Sequence, residues 1–210
     1  MIIVMAHEKG GVGKTTAAIN IADEIKPALI IDRDTHGNIG VLNSLRPDSE
    51  KFNVREANSE NELISLLEEY NKKGHILVDC GGFDSDINSM AIAAADLLIV
   101  PANDDINEKI GLMRFDETLS RVSEQMGKKI VGHVLFNRTH PSRKNFGGAE
   151  DFISESNHLV RLKSVLPRRN DFPLAAANGK GVSNFKKTRK SKSALEVKAL
   201  GKEIESFKSI

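Results

Sequence analysis

Two lysines five positions apart, Lys9 and Lys14, bracket a glycine-rich turn in the stretch HEKGGVGKTT at residues 7–16. The turn follows the apolar run IIVMA at residues 2–6 and precedes a helix-like segment from Thr15 to Ile25. Strand, glycine turn and helix in that order make a phosphate-binding loop. Gly10, Gly11 and Gly13 let the backbone approach a ligand and aim successive N–H groups at phosphate oxygens. The helix beginning near Lys14 adds its positive dipole end. Lys14 is placed to reach β- and γ-phosphates, and the Thr15 hydroxyl to sit on Mg2+. The general pattern of such loops wants glycine where this chain has Glu8, and it leaves Lys9 without a task.

Acidic residues close other apolar runs. ALIIDRDTHGN sets Asp32 and Asp34 at one strand end, suited to holding Mg2+ and water opposite a phosphate site. HILVDCGG ends in Asp79, a second Mg2+ candidate, with Gly81 and Gly82 expected to keep the following turn flexible. Cys80, the single cysteine, rules out an intramolecular disulfide framework and reads as a small buried filler. The six histidines show no metal-ligand spacing.

These residues need a scaffold that gathers strand ends. The apolar runs 2–6, 28–32, 75–79, 96–100, 129–137 and 161–167 read as strands, the first four continuously apolar, as in strands covered on both faces. Helical segments are expected at 15–25, 60–70, 86–95 and 106–126. In the last, Leu112, Phe115, Leu119, Val122 and Met126 recur on one face. Alternation of strand and helix predicts an α/β fold, a single doubly wound, mostly parallel sheet with helices on both faces. Ligands of such sheets bind beyond the carboxyl ends of the strands. The 210 residues show no repeat or linker and are expected to form one domain, 1–210. Charges nearly cancel, with 30 basic and 29 acidic residues, so net charge alone points to neither nucleic acid nor membrane. No apolar run approaches the roughly 20 residues that span a bilayer, and no signal segment opens the chain, which predicts a cytoplasmic location.

Lys9 to Thr16 fit K-G-G-x-G-K-T-T residue for residue, and so the chain resembles the ParA/MinD family of deviant Walker A ATPases, most closely a small ParA-type partition ATPase. The resemblance implies ATP and Mg2+ as cofactors, with Lys9, Gly10, Gly11, Val12, Gly13, Lys14, Thr15 and Thr16 around the nucleotide. It implies that Lys9 reaches across an ATP-sandwich homodimer to the partner's phosphates, as an arginine finger does. It assigns water positioning to Asp34 and metal binding to Thr15, Asp34 and Asp79. Thr35 and His36 depart from the family's Pro and Gln, and the prolines usual after Asp79 are missing. More loosely, LFNRTHPS and SVLPRRNDF resemble the family's base-binding strand ends, with Asn137 contacting adenine and Arg138 and Pro167 beside it.

Between Phe172 and Leu195 there is no acidic residue, and Lys180, Lys186, Lys187, Arg189, Lys190 and Lys192 are basic. Such a cluster pairs with phosphates irrespective of base sequence, so nonspecific DNA binding is expected through Lys186, Lys187, Arg189, Lys190 and Lys192 within segment 180–192. The helix at 193–207 places Leu195 or Val197, then Leu200, Ile204 and Phe207, at helical spacing. That pattern predicts a docking face rather than a membrane anchor. Met1 lies immediately before the first strand, so no N-terminal DNA-recognition domain is expected. The family implies slow ATP hydrolysis stimulated by a ParB-like centromere-binding adaptor, in plasmid or chromosome partition. Alternatives within the superfamily are a conjugation accessory ATPase, a MinD-like positioning ATPase and a relative of dethiobiotin synthetase. A nitrogenase iron protein is excluded by the single cysteine.

Overall fold

The computed structural model describes residues 1–34, 37–81, 86–105 and 107–207. Their elements run β1 (Ile2–Met5), α1 (Lys14–Ile25), β2 (Leu29–Arg33), α2 (Asn38–Ser44), β3 (Val54–Glu56), α3 (Glu60–Tyr70), β4 (Ile76–Cys80) and α4 (Asp86–Ala94). There follow β5 (Leu97–Ala102), α5 (Glu108–Met126), β6 (Gly132–Thr139), α6 (Gly148–Glu155), β7 (Leu159–Pro167), α7 (Asp171–Ala176) and α8 (Lys192–Ser206). The strands form one sheet in the order β3-β2-β4-β1-β5-β6-β7, with every pair parallel.

Successive strand side chains point to opposite faces of a sheet, and both faces here are covered. Val4, Leu29, Ile31, Ile76, Val78, Leu98 and Val100 pack under α3, α4, α5 and α6. Their neighbours Ile3, Met5, Ile30, Leu77, Leu97 and Ile99 pack under α1, α2, α7 and α8. A strand with two buried faces must be apolar at every position, which is why the central strands read as unbroken runs.

The edge elements differ from the sequence expectation. β3 has three residues and little apolar character; it exists by pairing with β2. Helices α2, α6 and α7 have no long periodic pattern and were not anticipated. On α5, Leu112, Phe115, Leu119 and Val122 are buried, whereas Met126, one position before the Gly127 cap, is 52% exposed. On α8 the docking face comprises Val197, Leu200 and Ile204, while Leu195 points outward. None of the described helices is long and apolar enough to cross a membrane.

β1 lies between β4 and β5, where the chain stops adding strands on one side and begins on the other. That reversal opens a crevice at the carboxyl ends of the strands. Met5 pairs with Asp79 and Asp79 with Asp32, so the acidic strand ends and the loop after β1 share one rim.

Candidate functional site: the β1–α1 loop and its acidic rim

Between β1 and α1, Gly11 and Gly13 adopt φ of +77° and +87°, values that glycine alone takes without strain. Gly13 also meets Asn137 so closely that a Cβ would lie 2.6 Å from Asn137 Nδ2. Gly10 and Gly11 face open space instead. Helix α1 starts with no side-chain cap and no acid in its first turn. Its first N–H groups and dipole end are therefore left for an anion.

Lys14 folds back over this loop and donates to the carbonyls of His7 at 3.2 Å and Lys9 at 3.4 Å. Burial lowers its pKa, and Asp79 and Asp34 partly restore it. Asp79 is 1% exposed, and neither carboxylate oxygen has a hydrogen-bond partner. Burial pushes its pKa up to about 7; the nearby Thr15 hydroxyl and Lys14 pull the other way without pairing with it at hydrogen-bonding geometry. A buried, unpartnered carboxylate beside a threonine hydroxyl fits a divalent cation, whose charge would favour the ionised form. No cluster of three or more His, Cys, Asp or Glu occurs among the described residues. A cation here would therefore rest on Asp79, Thr15 and the oxygens of a bound phosphate.

The two acids at the end of β2 have separate tasks. Asp32 accepts from the N–H groups of Asp34 (3.1 Å), Ile39 (3.0 Å) and Gly40 (3.2 Å). It is thus an anion at the N-terminus of α2, unavailable to a metal. Asp34 stands half-buried at the rim, its Oδ2 accepting from Asn38 Nδ2 at 2.8 Å. A Cβ on Gly81 would lie 2.6 Å from the Asp34 Cα. Gly81 is therefore needed for close approach of the two strand exits. Thr35, His36 and Gly82 lie outside the described residues.

Asn137 and Arg138 brace the loop from the far side. Asn137 Nδ2 donates to the carbonyls of Val12 at 2.8 Å and Gly13 at 3.2 Å. A register shift between Asn137 and Thr139 puts Arg138 at φ +57°, and its Nη1 reaches the Gly11 carbonyl at 2.6 Å. Such bulges re-aim side chains at functional rims. Asn137, Arg138 and Pro167, with Thr16, Phe172 and Pro173, line a cavity of about 580 Å³ that continues from the loop. Its size and mostly apolar lining suit a nucleobase and ribose.

Lys9 turns away from the loop. Its Nζ donates to Glu108 Oε2 at 2.9 Å, with Asp105 at 3.7 Å. The other Glu108 oxygen meets His7 Nε2 at 2.9 Å, while His7 Nδ1 accepts from the Lys9 N–H at 3.2 Å, so Nε2 carries the ring proton. Glu8 Oε1 accepts from Thr118 Oγ1 at 2.9 Å. Residues 7–9 thus all lean on α5, which accounts for a glutamate where phosphate loops usually have glycine. Sequence reading missed Glu108 and Thr118; the one available signal was an acid in the first turn of α5.

On the opposite sheet face, Lys186, Lys187, Arg189, Lys190 and Lys192 are exposed, and none forms an ion pair among the described residues. Lys180 pairs with Glu50 at 2.8 Å, and Arg169 with Glu196 at 2.6 Å.

Residues 1–75 match the AAA domain family. Protein ParA of Rhizobium radiobacter is 24% identical over 147 residues, covering 67% of this chain and 66%, just under two thirds, of that protein. The chromosome partitioning protein ParA of Myxococcus xanthus is 23% identical over 253 positions, covering 97% of this chain and 87% of the other. Among solved structures, apo McdA from Cyanthece superposes with a TM-score of 0.72 at 18% identity, covering 97% and 98% of the two chains. The septum site-determining protein MinD of Pyrococcus horikoshii, complexed with Mg-ADP, gives 0.67 at 20% identity over 97% and 95%. The fold is that of these McdA and MinD structures.

Proposed function

We propose that this chain is a ParA-like ATPase. It binds ATP with Mg2+ at the β1–α1 loop, pairs around two nucleotides, binds DNA nonspecifically in that state, and releases it on hydrolysis. The observation that carries the nucleotide reading is the orphaned Asp79 carboxylate beneath Lys14 and beside Thr15. Leaving such a charge unpaired costs about several kcal/mol, a cost that a bound cation removes. Mg2+ at this place supplies charge neutralisation for the phosphate oxygens.

The chain's own residues do the rest. The N–H groups at the start of α1 and the Lys14 ammonium hold phosphate oxygens, and Asn137 and Arg138 keep the loop open in that shape. Asp34, anchored through Asn38 at the rim, holds the attacking water in line with the terminal phosphate. Lys9 of each copy stabilises charge on the partner's phosphates. The exposed cations at 186–192 contact DNA backbone. The Myxococcus xanthus relative, a chromosome partitioning protein, supports partition as the setting, and a ParB-like adaptor is the stimulating partner that this reading expects. A MinD-like membrane anchor is not favoured, because Val197, Leu200 and Ile204 of α8 are already buried against the sheet.

The test is to size the protein by light scattering with ADP and with ATP, wild type beside Lys9→Ala, and then to measure DNA binding on the same samples. Wild type should pair only with ATP, and Lys9→Ala should bind ATP yet stay single. ATP binding without pairing would remove the sandwich mechanism; no ATP binding would remove the whole reading.

A further inference from the structure

Arg46 is a buried arginine at the far end of α2 from the nucleotide rim, and the mechanism above does not use it. Its Nη2 donates to Asp23 Oδ1 at 2.6 Å, and its Nη1 to Asp23 Oδ2 at 3.2 Å and to the Gly179 carbonyl at 2.8 Å. Its Nε donates to the Glu50 carbonyl at 2.8 Å, and the guanidinium lies over the Phe52 ring at 4.1 Å. All three nitrogens of the planar guanidinium donate to a partner, which lysine cannot reproduce.

Asp23, on the helix that begins at the phosphate loop, also takes the start of the basic segment. It accepts from Gly181 N–H at 2.6 Å and from Asn184 Nδ2 at 3.1 Å. One turn earlier, Asn20 Oδ1 accepts from Val182 N–H at 2.8 Å. Gly179, at φ +66°, lies so close to α2 that a Cβ would come within 2.2 Å of the Leu42 carbonyl. From there the chain runs as tight turns through Lys186, Lys187, Arg189 and Lys190.

The other end of α2 is held by the nucleotide rim. Asp32 takes the N–H groups of Ile39 and Gly40, and Asn38 binds Asp34. Helix α2 is therefore a seven-residue strut with one end on the acids facing the phosphate site and the other clamped on the base of the cationic segment. A single hydrogen-bonded helix held at both ends shifts as a unit. A shift of Asp34 toward a nucleotide-held water would be delivered at Arg46 and Gly179.

We propose that Arg46 is the positioning residue through which the nucleotide site sets the posture of the cationic segment 180–192. The inference rests on the ATPase reading above for its ligand and on the DNA reading only for its use. Cutting the Arg46 clamp leaves the cations on the protein but removes the influence of nucleotide on them.

The experiment follows hydrogen exchange of the amides at 177–190 with ADP·Mg2+ and with ATP·Mg2+, alongside binding of a random-sequence duplex. Arg46→Lys keeps the charge without the fork. Arg46→Met combined with Asp23→Asn removes both charges, keeps an acceptor for Gly181, and leaves no lone buried ion to unfold the protein. In the wild type, ATP should change exchange at 177–190 and raise duplex affinity by about tenfold, an ordinary coupling between linked sites. In both variants the phosphate-loop amides should still respond to ATP, while 177–190 should not, and the two nucleotides should give duplex affinities within about twofold. A wild-type segment indifferent to nucleotide, or a folded double variant whose segment still responds, overturns the proposal. If the wild-type segment responds but duplex is bound in neither state, the clamp stands and the DNA reading fails.

Discussion

Lys9 Nζ lies 2.9 Å from Glu108 Oε2, and the same buried carboxylate holds His7 through its other oxygen. The lysine proposed to serve a partner's phosphates is thus held by its own subunit, 99 residues along the chain. Glu108 and an incoming phosphate are both anionic, so they compete for one ammonium. The proposed pairing then includes the exchange of a part-buried ion pair for a charge-assisted contact across the interface.

Weakening the internal partner should therefore favour association. Glu108→Gln keeps a hydrogen-bond acceptor for Lys9 but removes the charge, and charge-assisted bonds exceed neutral ones by about 1 kcal/mol or more. ATP-driven pairing of Glu108→Gln should begin at roughly a tenth of the wild-type concentration. Sedimentation across a concentration series reads this, and an unchanged midpoint would show that Glu108 does not restrain Lys9.

Asp79 makes the site pH-dependent. Its folded pKa of about 7 lies above the unfolded 3.8, so between these values the folded state binds the proton that the unfolded state has lost. Stability of the ligand-free protein should fall as pH rises through that window, level off above it, and be recovered by Mg2+ with nucleotide. Asp79→Asn should flatten the profile and raise ligand-free stability at pH 8 by about 1–3 kcal/mol. Thermal melts at several pH values, with and without Mg2+ and nucleotide, check both parts; a wild-type profile already flat from pH 5 to 8 would sink the assignment.

Gly81→Ala inserts a methyl against the Asp34 backbone. Overpacking of this kind costs about 1–3 kcal/mol. The displaced backbone carries the carboxylate proposed to position water, so kcat for ATP should fall at least about tenfold while KM changes little. Steady-state hydrolysis beside a melting curve separates the two effects. A variant that loses stability with unaltered kcat would mean that Asp34 does not act on the reaction.

The exposed cations should be separable from folding. Changing Lys186, Lys187, Arg189 and Lys190 together to glutamine should leave stability within about 0.5 kcal/mol, since they are exposed and their side chains form no ion pair among the described residues. Duplex affinity should fall, and the slope of log K against log salt should flatten by up to about 3 to 4. Anisotropy titrations from low to moderate salt read the slope; unchanged binding would place the DNA surface elsewhere.

The phosphate loop, the central strands, and α1, α3, α4, α5 and α8 were legible in the linear pattern because each is a local regularity. Asp34 and Asp79 were legible as acids ending buried strands. The edge strand β3 and helices α2, α6 and α7 were not, because they are short and exist through pairing and packing with distant chain. Asp32 and Asp34 looked equivalent one residue apart, and only the turn into α2 made one a helix anchor and the other a rim residue.

Lys9 and Arg46 mark the boundary. A periodic or glycine-patterned segment carries its conformation in neighbouring residues, so the order of residues alone determined that this chain would place a glycine loop at the crevice of a parallel sheet. A buried ion pair carries no local signature, because its partner is chosen by how strands and helices stack. Glu108 for Lys9, and Asp23 with Gly179 for Arg46, came from the tertiary structure alone: parallel crossovers bring residues far apart in the chain within hydrogen-bonding distance, and burial then requires each charge to find a partner.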